Sequence, residues 1–272
     1  MSLLCETSII FLSSVLVLCY DINNPIHFIS TGYGCSVLVQ SIVMFCLYLS
    51  SIMKAQSQMS VILVIAHTIL IIVYGYRLAS FLFKRSKDEN YQASQKPFSA
   101  PIYVSLLILV SCSALYVFMV SPLLLHYHLV DKNSSVSFGQ IIGLFIMAAG
   151  ILIEATADYQ KSQFKLQHPT EFCSTGLYQY LRMPNYFGEI FFWTGNYITS
   201  WCVPQDIYFF IGNFLGWLII VGIMFNSASG LDKKQLKRYG SNPSFIEYRK
   251  KTRILLPFIP LYELGSKKQA SD

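Results

Sequence analysis

Residues 180–196 read YLRMPNYFGEIFFWTGN. The second half is an aromatic, apolar run greasy enough to enter a bilayer. Its mouth carries Arg182 and Asn185, Glu189 follows within the run, and Gly195-Asn196 closes it. Pro184 suits the first turn of a helix, where its missing N–H costs nothing. A helix beginning there presents free N–H groups and the positive end of its dipole, an arrangement that attracts anions. Arg182 adds a planar fork of donors that suits phosphate. Asn185 offers a donor and an acceptor, and Gly188 allows close backbone approach. An ionised Glu189 facing lipid costs several kcal/mol, so it is expected to face the protein interior with a partner. Anchoring at the membrane interface accounts for Arg182, Tyr186 and Trp193. It does not account for Asn185, Glu189 or Asn196. The stretch therefore predicts a helix whose cytosolic mouth opens a polar pocket at the membrane surface.

The rest of the 272-residue chain agrees with a membrane setting. Hydrophobic residues make up 54% and charged residues 12%, about half the charge of a soluble domain, and mean hydropathy is +0.48. Seven apolar stretches, at about 3–20, 34–53, 59–83, 101–125, 138–153, 186–201 and 207–225, have the length of membrane spans. The fold class expected is all-α, a polytopic bundle of about seven transmembrane helices forming one domain over 1–265, with a disordered tail at 266–272. The cations fall in three segments: Lys84, Arg85, Lys87 and Lys96; Lys161, Lys165 and Arg182; and Lys233 through Arg253. Seven spans put all three on one side, which the positive-inside rule makes cytosolic. The N-terminus is then lumenal or outer and the C-terminus cytosolic. The net charge of +6 is read as topology and not as nucleic-acid binding.

Other features narrow the class. Seven scattered cysteines without a C-x-x-C pair read as buried apolar residues, not as a disulfide frame or zinc site. MSLLCETS at the N-terminus lacks a basic region and is read as the start of the first span, not a cleaved signal. Residues 84–100 form a polar connector, and Asn133-Ser134-Ser135 fits a glycosylation acceptor on the outer side. No Walker loop, no H-E-x-x-H and no glycine-rich dinucleotide fingerprint is present, and the histidines show no metal-binding spacing.

Three further segments carry polar chemistry. In IEATADYQKSQFK, residues 153–165, Glu154, Asp158, Lys161 and Lys165 share one helical face. Interleaved signs would stabilise the helix; segregated signs suit a ligand with acidic and hydroxyl ends. A solvated face leaving the membrane fits the same pattern. The segment YGSNPSFIEYRKKTRILLPFIP, residues 239–260, places Tyr248 among Arg249, Lys250, Lys251 and Arg253. It suits a nucleotide clamp or a polybasic contact with anionic lipid, and does not discriminate between them. In YGYRLASFLFKR, residues 74–85, Tyr74 and Tyr76 are candidate proton donors or members of an aromatic belt. His67 is a candidate proton donor, with an interhelical hydrogen bond the favoured reading. Glu6 and Glu89 are further loose candidates.

The run D-x-x-K…G-L-Y-x-Y-x-R-M-P-N-Y-F-G-E, with P-S-F-I-E-Y-R-K-K-T…L-L-P after it, resembles the steroid 5α-reductase C-terminal-like family of multispan membrane reductases. Within it the chain is most similar to the DUF1295-type branch, and the likeness spans about residues 70–260. The resemblance implies an endoplasmic-reticulum enzyme that uses NADPH to reduce a carbon–carbon double bond in a sterol, steroid or related lipid. By matching position it implies that Asp158 and Lys161 touch the cofactor, with Lys165 where relatives often carry arginine. Asn185, Tyr186 and Glu189 fall on its N-Y-F-G-E, and Tyr248 on its C-terminal motif. Arg182 and Arg253 complete the expected cofactor set. Met183 stands where relatives usually carry histidine. The acid and tyrosine that donate the proton in steroid reductases lie in the N-terminal half, where no position here matches securely. Two rivals share features. Membrane isoprenylcysteine or lipid methyltransferases using S-adenosylmethionine share the pattern of Gly176, Tyr178, Arg182, Pro184, Tyr186 and Gly188. A non-catalytic sterol-binding membrane protein fits the Met183 departure.

Overall fold

The computed structural model describes residues 2–20, 22, 25–87, 101–132, 135–201, 203 and 205–262. Glu89, Lys96, Asn133 and the segment 266–272 lie outside them. Among the described residues the chain is all-helical, with no strand beyond one isolated bridge between Leu181 and Arg253. In chain order the helices are α1 Leu3–Cys19, α2 Pro25–Phe28, α3 Thr31–Lys54, α4 Gln58–Ser86, α5 Ile102–Asp131, α6 Phe138–Gln167, α7 Pro184–Trp201, α8 Ile207–Tyr239 and α9 Pro243–Lys251. Every one of the seven apolar stretches is helical. Five helices are long and apolar enough to cross a membrane: α3, α4, α5, α6 and α8. α1 is shorter, at 17 residues, and the polar residues of α7 keep it out of that group.

Helix ends follow local chemistry. Ser2 and Ser57 cap α1 and α4 by accepting from the N–H groups of Cys5 and Ser60, both at 3.3 Å. Asn242 caps α9 through the Ser244 N–H at 2.9 Å, with Pro243 in the first turn. α6 and α8 outrun the apolar stretches that announce them. Each continues into a charged segment, so α6 carries residues 153–165 and α8 carries the basic run to Tyr239. Nothing in those segments breaks a helix, and Glu, Lys, Gln and Leu favour one.

The chain divides into two compact units. One comprises Met1–Leu144 and Asn196–Trp217, the other Phe145–Gly195 and Leu218–Asp272. In the first, α3 and α4 meet backbone to backbone. A Cβ on Gly34 would lie 2.7 Å from the Ala79 nitrogen, and one on Gly75 would lie 2.9 Å from the Gly34 oxygen. Small residues let helices approach this closely in an apolar medium, where dispersion contacts replace the hydrophobic effect between helices. Pro122 inside α5 leaves the Phe118 carbonyl without its helical N–H, and the Ser121 hydroxyl donates to it at 2.7 Å.

In the second unit α6 crosses α7 with equal intimacy. A Cβ on Gly150 would sit 2.5 Å from the Phe192 nitrogen, and one on Gly188 would sit 2.6 Å from the Glu154 nitrogen. The close approach expected at Gly188 is therefore toward a neighbouring helix. After α6 the chain turns at Gly176, whose φ of 63° favours glycine, into a 3-10 turn over Gly176–Gln179. The Gln160 side chain holds that turn by accepting from the Leu177 N–H at 2.8 Å. The next residues pair with the segment after α9: the N–H of Arg182 donates to the Arg253 carbonyl at 2.9 Å and that of Met183 to Ile254 at 3.0 Å.

Candidate functional site

The charged residues that the apolar runs could not explain gather in the second unit. α6 contributes Glu154 and Asp158, 3% and 8% exposed, and α7 contributes Glu189 at 6%. Glu189 thus faces the interior, as its cost in lipid requires. The face of residues 153–165 is not uniformly solvated: its acidic end is buried, while Lys161 and Lys165 are half-buried.

Tyr178 stands at the middle of this group. It is buried, and its hydroxyl donates to the Ala157 carbonyl at 3.4 Å. The Tyr248 hydroxyl donates to the Tyr178 carbonyl at 2.6 Å, and the Lys161 ammonium lies 6.0 Å from the Tyr178 ring. Burial drives the Tyr178 phenol above its ordinary range, and the fields of Asp158, Cys173, Tyr248 and Tyr186 push it further. Tyr248 is raised by burial, with the Arg182 cation opposing. Lys161 and Tyr248 therefore meet at Tyr178, whose phenol also feels Asp158 and Tyr186.

Arg182 is 2% exposed. Its guanidinium donates to Asp232 on α8 and to the Tyr262 carbonyl. Arg249 on α9 takes the other carboxylate oxygen, Nη2 to Oδ2 at 2.9 Å. Burial pulls the Arg182 pKa down and Asp232 opposes this. One carboxylate, 1% exposed, thus serves two guanidiniums. The backbone of Arg253 pairs with Leu181, and its buried Nε has no hydrogen-bond partner among the described residues.

At the start of α7, Met183 and Pro184 are buried while Asn185 and Tyr186 are half-buried. Asn185 makes no side-chain hydrogen bond to a described residue. Met183 is 1% exposed and packs as an apolar residue.

Not every candidate joins this group. Lys165 braces the loop after α6. Its ammonium donates to the Glu171 carbonyl, to the Tyr239 hydroxyl at 3.0 Å and weakly to Pro169 at 3.4 Å. Tyr74 and His67 belong to the first unit. Tyr74 is buried with its hydroxyl 2.9 Å from that of Tyr33. His67 makes the interhelical hydrogen bonds favoured for it, to His126 and Asn196. Tyr76 is 66% exposed on the surface of α4, where an aromatic belt residue belongs. Glu6 is also in the first unit, its Oε2 at 2.9 Å from His128 Nε2.

Sequence reasoning missed Asp232 and underused Tyr178 and Gln160. Asp232 had a signal: it is the lone acid in GLDKKQLKR, at the point where an apolar run turns basic. Among the described residues, no group of three or more His, Cys, Asp or Glu side chains is placed to hold a metal ion.

The model of the family described as "Protein of unknown function (DUF1295)" matches residues 27–252. The chain belongs to the DUF1295 family. No curated protein and no solved structure matches it. The DUF1295 match contains Glu154, Asp158, Tyr178, Arg182, Glu189, Asp232 and Arg249. Arg253 and the Tyr262 carbonyl, which accepts from Arg182, lie beyond it.

Proposed function

We propose that this membrane protein is an NADPH-dependent reductase of a carbon–carbon double bond in a sterol, steroid or related lipid. It would work in the endoplasmic reticulum with seven spans, the N-terminus lumenal and the C-terminus cytosolic. The observation that carries the reading is the pair of guanidiniums gathered on one buried carboxylate in the second unit. Arg182 and Arg249 both donate to Asp232, and the buried Arg253 Nε lacks a partner among the described residues. Such a cluster suits an anion with several oxygens, and guanidinium forks match phosphate geometry. S-adenosylmethionine carries no phosphate, so a guanidinium cluster favours a phosphorylated dinucleotide over the methyltransferase reading.

The donor set fits that cofactor in two parts. Arg253 and the cations of α9 would take phosphate, while Asp158 is a carboxylate suited to ribose hydroxyls and Asn185 offers an amide to a carboxamide. Lys161 and Tyr186 complete the wall around Tyr178. NADPH, when bound, would supply a hydride for an electron-poor alkene. The protein's part is to orient the cofactor, keep water from it and provide a proton to the second carbon or its conjugated carbonyl. Lys165 leaves the proposed contact set and acts as a brace.

The test is the small molecule that accompanies the protein when it is purified from membranes into lipid discs and examined by mass spectrometry. A nicotinamide dinucleotide phosphate is expected. S-adenosylmethionine in its place would support the methyltransferase, and sterol with no nucleotide would support a non-catalytic sterol binder.

A further inference from the structure

The first unit contains a buried polar pair that the proposed cofactor site does not use. His67 on α4 is fully buried and His126 on α5 is 1% exposed. Their rings meet edge to face with centroids 4.7 Å apart, and the two Nδ1 atoms lie 3.0 Å apart. Each Nε2 has its own partner. His67 Nε2 is 2.8 Å from the Asn196 oxygen, and His126 Nε2 is 3.2 Å from the Thr199 carbonyl. The Asn196 amide nitrogen donates to the Met119 carbonyl at 2.8 Å, which turns its oxygen toward His67.

These partners fix the proton count. A carbonyl oxygen only accepts, so both Nε2 atoms must carry hydrogen for those two contacts to be bonds. The Nδ1–Nδ1 contact needs a hydrogen of its own. Three positions therefore call for protons, and two neutral imidazoles supply one each, two in all. A neutral pair leaves one of the three contacts lone pair against lone pair, a poor arrangement in a dry interior. One added proton satisfies all three and spreads the charge over two rings.

We propose that His67 and His126 form a buried proton-binding site, which takes up a third proton between the two Nδ1 atoms while each Nε2 keeps its own. The surroundings make that proton exchangeable. Among the described residues, no carboxylate touches the pair. Asn196 and Thr199 of α7 are uncharged, as is Asn213 of α8, which bonds Ser121. On α5 the Tyr127 hydroxyl bonds Thr68 of α4 at 2.7 Å. Tyr48 of α3 and Glu6 of α1 are engaged with His128, and Asp131 accepts from Ser51. Tyr33 and Tyr74 bond each other, and Arg77 of α4 also has an interaction of its own. Burial without a counter-ion opposes the cation, while the unfilled hydrogen-bond position favours it. Opposed terms suit reversible uptake and release, not a permanent charge. The ligand is a proton, and the assignment stands whether or not the protein binds NADPH.

The test is nitrogen NMR of the full chain, labelled at histidine and held in lipid discs, between about pH 8 and about pH 5. His67→Gln and His126→Gln assign the two rings. Both Nε2 atoms are expected in the protonated form at the acid end. The two Nδ1 signals should move together to a shared intermediate position, because the pair titrates as one. Asn196→Asp places a carboxylate against His67 Nε2 and should move that transition to higher pH. Should these variants fail to fold, the wild-type titration alone decides. Two rings that each keep a single proton down to the acid end, or that titrate independently, overturn the proposal.

Discussion

The two units bury polar groups in opposite ways. In the first the partners are mostly neutral and answer one another: Tyr33 with Tyr74, Tyr127 with Thr68, Asn196 with His67 and Met119. Such contacts fasten helices in an apolar medium and are each worth about 1 kcal/mol. In the second unit the buried groups carry charge: Glu154, Asp158, Arg182, Glu189 and Asp232. Burying a charge is costly even when it is paired, and stability is a poor reason to keep one. Neutral polar residues inside the apolar runs therefore read mainly as fastening, the His67–His126 pair apart, and charged ones as function. Glu6, buried against His128, is the first unit's departure from this division.

The largest expected effect comes from removing the counter-ion. Asp232→Ala leaves Arg182 and Arg249 facing each other and should cost about 3–5 kcal/mol, read as a fall in Tm in lipid discs. An unchanged Tm would mean the cluster is not closed as described. Overpacking the second unit's helix crossing comes next. Gly150→Val puts carbon into the backbone of α7 and should cost about 1–3 kcal/mol, with a fall in Tm of corresponding size.

Two milder substitutions separate binding from fastening. Asn185→Ala and Arg253→Ala should each weaken NADPH about tenfold, equivalent to about 1.4 kcal/mol, with Tm nearly constant. Tyr74→Phe should behave in reverse: a loss near 1 kcal/mol in stability with an unchanged dissociation constant for NADPH. If Tyr74→Phe abolished binding, the division between the units would fail. The smallest effect belongs to Lys251→Ala. It removes an exposed i,i+4 pair with Glu247 at 2.5 Å and should leave Tm unmoved, since such pairs are screened by water.

Much of this contrast was legible in the residues. Pro184 marked the start of α7, Glu189 had to face inward on cost alone, and His67 was read as an interhelical bond. What escaped was long-range. Asp232 pairs with Arg182 across fifty residues, and a lone acid among lysines looks like part of a cationic tail. Lys165 shares a helical face with Lys161, yet the turn after Gln167 brings carbonyls within its reach and draws it aside. Hydropathy marked the membrane-spanning parts of α6 and α8 and not their ends, because it reports the apolar medium and not the helix, which propensity carries onward through Glu, Lys and Gln. The division of the chain into two units left no mark in composition, since its boundaries fall inside continuous helices.

The most direct measurement is titration of the wild-type protein and Arg253→Ala with NADPH, NADH and S-adenosylmethionine in lipid discs. Saturable NADPH binding that weakens about tenfold in Arg253→Ala, with no binding of S-adenosylmethionine, is the predicted result. Equal affinity for NADPH in both proteins, or no NADPH binding by the folded wild type, would contradict an anion site built on the guanidinium cluster.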